Sequence, residues 1–187
     1  MIARDKILIL GSGISGIGVA KLAQKKGLNV CLSDSKNIKS ETKKILSELG
    51  VIYEETGHTE NLIKDSNEIV ISPGIDLKSL IKSKPSLQSK NIISEIEFAS
   101  RYTNAFIIAV TGTNGKTTTS KLIYHILKNS GFNVGLAGNI GYSFSRSVAE
   151  NQFDYYVLEV SSFQLDHILN FRPDISVITN ITPDHLD

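Results

Sequence analysis

The sequence predicts an α/β protein made of two successive parallel-sheet units. Three observations carry this. Short β-branched runs alternate with longer amphipathic ones, as expected for parallel strands joined by helices. Twice, at residues 11–16 and 112–117, a glycine-rich loop follows a strand-like run and opens a helix-like one. Between them, residues 77–104 turn polar and rich in Ser and Lys, with Pro85 in the middle.

Residues 6–10 read as a buried strand. Residues 16–27 follow as a helix whose apolar stripe is Val19, Ala20, Leu22 and Ala23, with Gly27 at the C-terminal cap. Residues 29–33 form the second strand, 40–49 a helix with Ile45, Leu46 and Leu49 on one face, and 68–72 a third strand ending at Ser72-Pro73-Gly74. In the polar stretch only Ile92, Ile93, Ile96 and Phe98 offer apolar anchors, and a domain boundary is expected near residues 100–104. That gives a first domain of residues 1–100 and a second of 101–187. The second opens with a strand at 105–111 and a helix at 116–130 whose Leu122, Ile123, Ile126 and Leu127 are expected to face inward. Strands follow near 134–137, 155–160 and 175–179.

Composition narrows the function. The 187 residues allow one full domain or two small or incomplete ones. Lys and Arg total 20 against 19 Asp and Glu, a formal +1, so there is no basic field for gripping nucleic acid. The single cysteine, Cys31, cannot form an internal disulfide or a cysteine-based zinc site, which fits a reducing cytoplasm. No apolar run nears the ~18 residues that a spanning helix needs, so no membrane partner is expected.

Gly11-Ser12-Gly13-Ile14-Ser15-Gly16 matches G-x-G-x-x-G in the required strand-to-helix setting, which makes the first unit Rossmann-like. Glycines admit a ligand's phosphates, the helix N-terminus offers free N–H groups, and Asp34 at the end of the second strand can accept hydrogen bonds from a sugar or base. Any nucleotide diphosphate would satisfy this; the motif does not single out NAD. The second loop, Gly112-Thr113-Asn114-Gly115-Lys116-Thr117, ends like a P-loop, with Lys for β/γ-phosphate oxygens and Thr for Mg²⁺, but is two residues shorter than the full spacing. A lysine at a helix start opposes the helix dipole and calls for an anionic partner. Glu159 and His185 fall at or just after later strand ends, so with Lys116 they should converge on one sheet edge. Glu159 and Thr117 are plausible oxygen contacts for Mg²⁺, a His ligand less usual. His58, His125 and His167 read as surface or helix-face residues.

Taken together, residues 112–119, Gly138-Asn139-Ile140-Gly141, residues 159–165 (Glu-Val-Ser-Ser-Phe-Gln-Leu) and Asn180-Ile181-Thr182-Pro183-Asp184-His185 resemble the Mur ligase family of ATP-dependent amide ligases, and Ser72-Pro73-Gly74-Ile75 points the same way. The resemblance runs the length of the chain and implies an enzyme of peptidoglycan synthesis. ATP would phosphorylate the carboxylate of UDP-N-acetylmuramoyl-L-alanine, and D-glutamate would attack the acyl phosphate. It implies that Ile14, Ser15, Asp34, Ser35 and Gly74 contact the UDP-sugar, with Lys36 where an Arg is common. It implies that Gly112, Thr113, Asn114, Gly115, Lys116, Thr117 and Thr118 hold ATP, and that Thr117, Glu159 and His185 serve the metals. Asn139 and Ser161 would touch the muramoyl substrate, and Lys116, Glu159 and His185 would carry the chemistry. The first domain then binds the UDP substrate, and the second is the start of the ATP-binding central domain. The full-length enzyme is expected to be a cytoplasmic monomer.

The family's central domain continues past the equivalent of Asp187, adding a carbamylated lysine, and a third domain brings further ATP and D-glutamate contacts. The 187-residue chain is therefore expected to be a truncated piece that binds the UDP substrate but does not ligate. The competing readings are another amide ligase of the wider family, such as a folylpolyglutamate synthase, and a non-catalytic nucleotide-binding module.

Overall fold

The structure, a computed structural model, describes residues 6–183. The first sheet is built from β1 (Lys6–Leu10), β2 (Asn29–Ser33), β3 (Ile52–Glu54), β4 (Glu68–Ile71) and β5 (Asn91–Ser94), in the order β3-β2-β1-β4-β5. Its helices are α1 (Ile14–Lys25), α2 (Ser40–Glu48), α3 (Glu60–Asp65), α4 (Leu77–Ser83) and α5 (Glu95–Ser100). The second sheet holds β6 (Phe106–Thr111), β7 (Val134–Gly138), β8 (Tyr155–Glu159) and β9 (Ile175–Ile178), in the order β7-β8-β6-β9, with α6 (Lys116–Asn129), α7 (Phe144–Glu150) and α8 (Ser162–Leu165). Every strand pairing is parallel. The α/β class expected from the alternation of runs is the one observed.

Three expectations need correction. Among the described residues the first sheet has five strands, not three: β3 is only three residues long, with Ile52 exposed, and β5 lies inside the polar stretch, so neither stands out as an apolar run. The strand at 68–71 is thus the fourth. Helix α1 starts at Ile14, two residues before the expected 16. On α6, Ile123 and Leu127 pack against the second sheet, but Leu122 and Ile126 are more than half exposed, because among the described residues nothing covers that side of the helix.

In each sheet the chain reverses its direction of winding, and ligands of open α/β sheets collect at such a reversal, outside the carboxyl ends of the strands. In the first sheet this falls between β1 and β4, so the loop after β1 faces the Ser72-Pro73-Gly74 turn after β4. In the second, β6 is flanked by β8 and β9, which sets the loops after these three strands side by side.

Helices join the two sheets. One apolar core runs from Ile7, Ile9 and Leu32 of the first sheet through Val19 and Phe98 to Phe144, Tyr156 and Leu158 of the second. At about 25 cal/mol per Å² such burial dominates the energetics. Helix α1 packs on α7 so closely that a Cβ at Gly18 would lie 2.1 Å from Ser143 Oγ, and Lys21 Nζ bonds Glu150 Oε1 at 2.6 Å. Two buried acids of α5 complete the junction. Glu97 Oε2 accepts the N–H groups of Leu169, Asn170 and Phe171 at 3.1, 2.9 and 2.7 Å. Burial opposes its charge, but these donors and the nearby Arg101 outweigh that and hold the carboxyl below its ordinary pKa. Glu95 Oε1 accepts the N–H of Ser145 in the first turn of α7, whereas its Oε2 is buried without a partner. Burial lifts its pKa from 4.5 to about 7.

The sign of the resulting pH dependence follows. The folded chain keeps the Glu95 proton at pH values where the unfolded chain has lost it, so stability falls as pH rises from 4.5 to about 7 and changes no further above it. At 1.36 kcal/mol per pKa unit the full effect is at most about 3–4 kcal/mol. Glu95→Gln is expected to flatten that part of the profile and to exceed the wild type at pH 8, read by urea unfolding at pH 5, 6.5 and 8. An unchanged slope in the variant would contradict the assignment.

Candidate functional site

The first cleft lies at the reversal between β1 and β4. Gly11 N–H bonds Ser33 O at 2.8 Å, turning the chain sharply off β1 into α1. The three fingerprint glycines are not equivalent. A Cβ at Gly16 would lie 1.9 Å from the Gly11 carbonyl oxygen, and one at Gly11, where φ is +101°, would meet Ser72 Oγ at 2.6 Å. A Cβ at Gly13 would meet nothing within 4 Å, and its φ of −75° suits any residue. Gly11 and Gly16 are thus demanded by the protein itself, and Gly13 leaves open space above the loop.

Asp34 organises this loop. Its Oδ2 accepts Ser12 N–H at 2.7 Å and Ser12 Oγ–H at 2.6 Å, and its Oδ1 accepts Lys36 N–H at 2.9 Å. Partial burial resists the charge, but these hydrogen bonds prevail and keep the carboxyl below its ordinary pKa. Asp34, Ser35 and Gly74 line a cleft of about 540 Å³ together with Gly11, Lys36 and His58. Ile14 and Ser15 do not line it; they form the first turn of α1, where Ile14 is exposed. His58 departs from expectation: it is buried, not on the surface, with Nδ1 2.6 Å from Ser33 Oγ.

The second cleft, about 760 Å³, adjoins the first, with Gly74 on the lining of both. It brings together Gly74, Gly112, Thr113, Lys116, Asn139 and Ser161 from the segments after four strands, β4, β6, β7 and β8, of the two sheets. Helix α6 carries Lys116 as its first residue, and its ammonium bonds the carbonyls of Gly112 and Thr113 at 2.6 and 2.9 Å. Phosphate oxygens could take over those contacts. Gly112 is obligatory: φ is +132° and a Cβ would lie 2.2 Å from Thr179 Oγ1. The loop is further tied to the segment after β9, with Asn114 N–H on Asn180 Oδ1 at 3.0 Å and Thr179 Oγ–H on Asn114 O at 2.6 Å. These ties through Thr179 and Asn180 were not foreseen.

Beneath the loop, Glu159 is 2% exposed. Its Oε2 accepts Thr117 Oγ–H at 2.7 Å, and its Oε1 accepts Asn139 Nδ2–H at 2.9 Å. One carboxylate therefore sets the position of two other candidate residues. Asn114, Gly115, Thr117 and Thr118 belong to the loop and first turn of α6 but do not line the cleft. Ser161 caps α8 in a reciprocal pairing with Gln164, which sequence reasoning left unassigned. His185 lies outside the described residues. Among the described residues no group of three His, Cys, Asp or Glu could hold a metal. The Thr117 hydroxyl and Glu159 carboxylate are nonetheless the hard oxygen donors that Mg²⁺ takes, often with waters completing its shell, and so fit that ion.

Fold and clefts together define a two-sheet α/β protein that presents a strand–glycine loop–helix unit at each of two adjoining clefts. Residues 6–81 match the family model for the MurD N-terminal domain and residues 110–187 that for the Mur ligase middle domain; the chain belongs to the Mur ligase family. It is 54% identical over 182 residues to a UDP-N-acetylmuramoylalanine--D-glutamate ligase of Bacteroides fragilis, covering 97% of this chain and 41% of that protein. A ligase of the same name from Porphyromonas gingivalis is 49% identical over 181 residues, 97% of this chain and 40% of that protein. The chain thus spans about two fifths of the length of these relatives. Among solved structures, UDP-N-acetylmuramate:L-alanyl-gamma-D-glutamyl-meso-diaminopimelate ligase from Neisseria meningitides superposes with a TM-score of 0.59 at 24% identity, covering 99% of this chain and 63% of that one. This last likeness shows the fold.

The unequal glycines give a direct check. Gly16→Ala is expected to cost about 1–3 kcal/mol of stability by forcing the loop off Gly11, and Gly13→Ala to stay within about 0.5 kcal/mol of wild type. Urea midpoints of the two variants decide it; equal losses would contradict the steric assignment.

Proposed function

We propose that this chain is the substrate-binding and phosphate-binding part of an ATP-dependent ligase that joins D-glutamate to UDP-N-acetylmuramoyl-L-alanine in peptidoglycan synthesis. The observation that carries this reading is the shared lip at Gly74. A cleft suited to a nucleotide diphosphate opens there directly onto the Gly112–Thr117 loop. A UDP-linked carboxylate held by the first cleft would extend toward the Lys116 ammonium, where the γ-phosphate of ATP must come to phosphorylate it.

Bringing a carboxylate and a γ-phosphate together costs electrostatic repulsion, and the residues present can offset it. Lys116 supplies a positive charge at the base of the loop that would face both anions. Mg²⁺, when bound, would neutralise phosphate charge at the Thr117 hydroxyl. Glu159 fixes that hydroxyl, and through Asn139 it fixes a side chain on the wall of the cleft. Asn139 and Ser161 stand where the muramoyl end of the substrate would pass. D-Glutamate attack on the acyl phosphate, with release of phosphate, would complete the ligation. No described helix is long and apolar enough to cross a membrane.

Calorimetry of the chain with UDP-N-acetylmuramoyl-L-alanine, UDP and NAD tests the reading. The UDP ligands should bind and NAD should not; preference for NAD would sink it. Asp34→Ala frees the Ser12–Lys36 loop and is expected to weaken UDP binding at least tenfold with the fold intact by circular dichroism.

A further inference from the structure

The first cleft contains a buried imidazole that neither glycine loop explains. His58 is 7% exposed and lines the cleft beside Asp34, Ser35 and Gly74. Ser33 Oγ lies 2.6 Å from His58 Nδ1, 2.6 Å from Glu54 Oε1 and 3.1 Å from Gly57 O. A serine hydroxyl has a single proton, and a carboxylate and a carbonyl can only accept. The proton goes to Glu54, the shorter contact, whose same oxygen is pinned by Thr59 N–H at 2.8 Å. Ser33 Oγ must then accept from His58, which places the ring hydrogen on Nδ1 and leaves Nε2 with a bare lone pair.

Among the described residues, the Ser33 contact is the hydrogen bond that the ring makes. Burial, aided by Lys84 and opposed by Glu54 and Asp34, holds the pKa of the ring below its ordinary value, so the neutral ring is the resting form. Asp34, the acceptor that the sequence offers to a ligand, already takes three hydrogen bonds from its own chain. With about four lone-pair positions on a carboxylate, little of it remains. His58 Nε2 is an unspent acceptor of this cleft.

We propose that His58 Nε2 is a specificity contact of the first cleft, accepting a hydrogen bond from a donor on the nucleoside: the imide N–H of a uracil or a ribose hydroxyl. This rests on the nucleotide reading of the cleft given above. Cytosine, which lacks that imide hydrogen, would set a lone pair against a lone pair if the base is the part that is read. Protonation of the ring would convert the acceptor into a donor, so nucleotide affinity should fall as the solution is made acidic.

The test is calorimetry of wild type and His58→Phe with UDP, CDP and 2′-deoxy- and 3′-deoxy-UDP at pH 8. If the imide is read, wild type should prefer UDP over CDP by roughly tenfold or more; if a ribose hydroxyl is read, the preference should be over one of the deoxy forms. His58→Phe should erase whichever preference is present, and His58→Gln, which offers an amide oxygen near the same place, should restore part of it. A Phe variant that keeps the wild-type preferences, whatever its melting temperature, overturns the proposal and leaves the nucleotide reading standing. Wild type that binds no UDP overturns both. ¹⁵N NMR of the wild-type imidazole needs no variant to fold: a hydrogen on Nδ1 supports the assignment, and a hydrogen on Nε2 alone overturns it. UDP affinity that rises on acidification would do the same.

Discussion

The arrangement of the clefts depends on two carboxylates placed two residues apart on one short helix. Glu95 and Glu97 leave the first sheet on α5, enter the core, and end on elements of the second: the N-terminus of α7 and the backbone of residues 169–171. Each carboxylate is itself buried and takes backbone N–H donors of the second unit. Burying a polar group costs free energy that pairing offsets, so these contacts favour one register between the two sheets. The Ser94 N–H to His167 O bond at 2.8 Å supports the same register from the end of β5. Gly74 faces Ser161, Phe163 and Lys116 across a common cavity as a consequence.

Within each sheet, the site follows from topology and close approach. Parallel strands bring their carboxyl ends to one edge, and the reversal of winding opens a gap there. Side chains that line the gap or lie directly beneath it are mostly committed to one another: Asp34 to the glycine loop, Glu159 to Thr117 and Asn139, Lys116 to two loop carbonyls, Ser33 to Glu54 and His58. Such mutual bonding holds the groups in place before any ligand arrives and lowers the entropic cost of binding. Lys116 differs from the rest, because its partners are carbonyls that phosphate oxygens can replace.

Much of this was legible from order and spacing. The alternation of runs gave the α/β class, and the two glycine loops marked the two strand–loop–helix units and the candidate residues around them. What escaped notice did so for physical reasons. Strands β3 and β5 are short and polar enough that pairing with a neighbour, not their own pattern, makes them strands. Leu122 and Ile126 share the periodicity of Ile123 and Leu127, but periodicity names a stripe and does not say how wide a surface covers it.

By itself, the sequence determined the local chemistry: glycine where backbone approaches backbone at Gly16 and Gly112, an acid at each critical strand end, and a lysine heading α6. These are properties of a few neighbouring residues, so a linear text can carry them. Only the tertiary structure decided that Glu95 and Glu97, hidden between Ile93 and Phe98, are buried struts, and that His58 belongs to the cleft of Asp34 and not to the surface. Burial and hydrogen-bond partnership arise between residues far apart in the chain, here 25 positions for Ser33 and His58 and 74 for Glu97 and Phe171. No local pattern encodes which of them will meet.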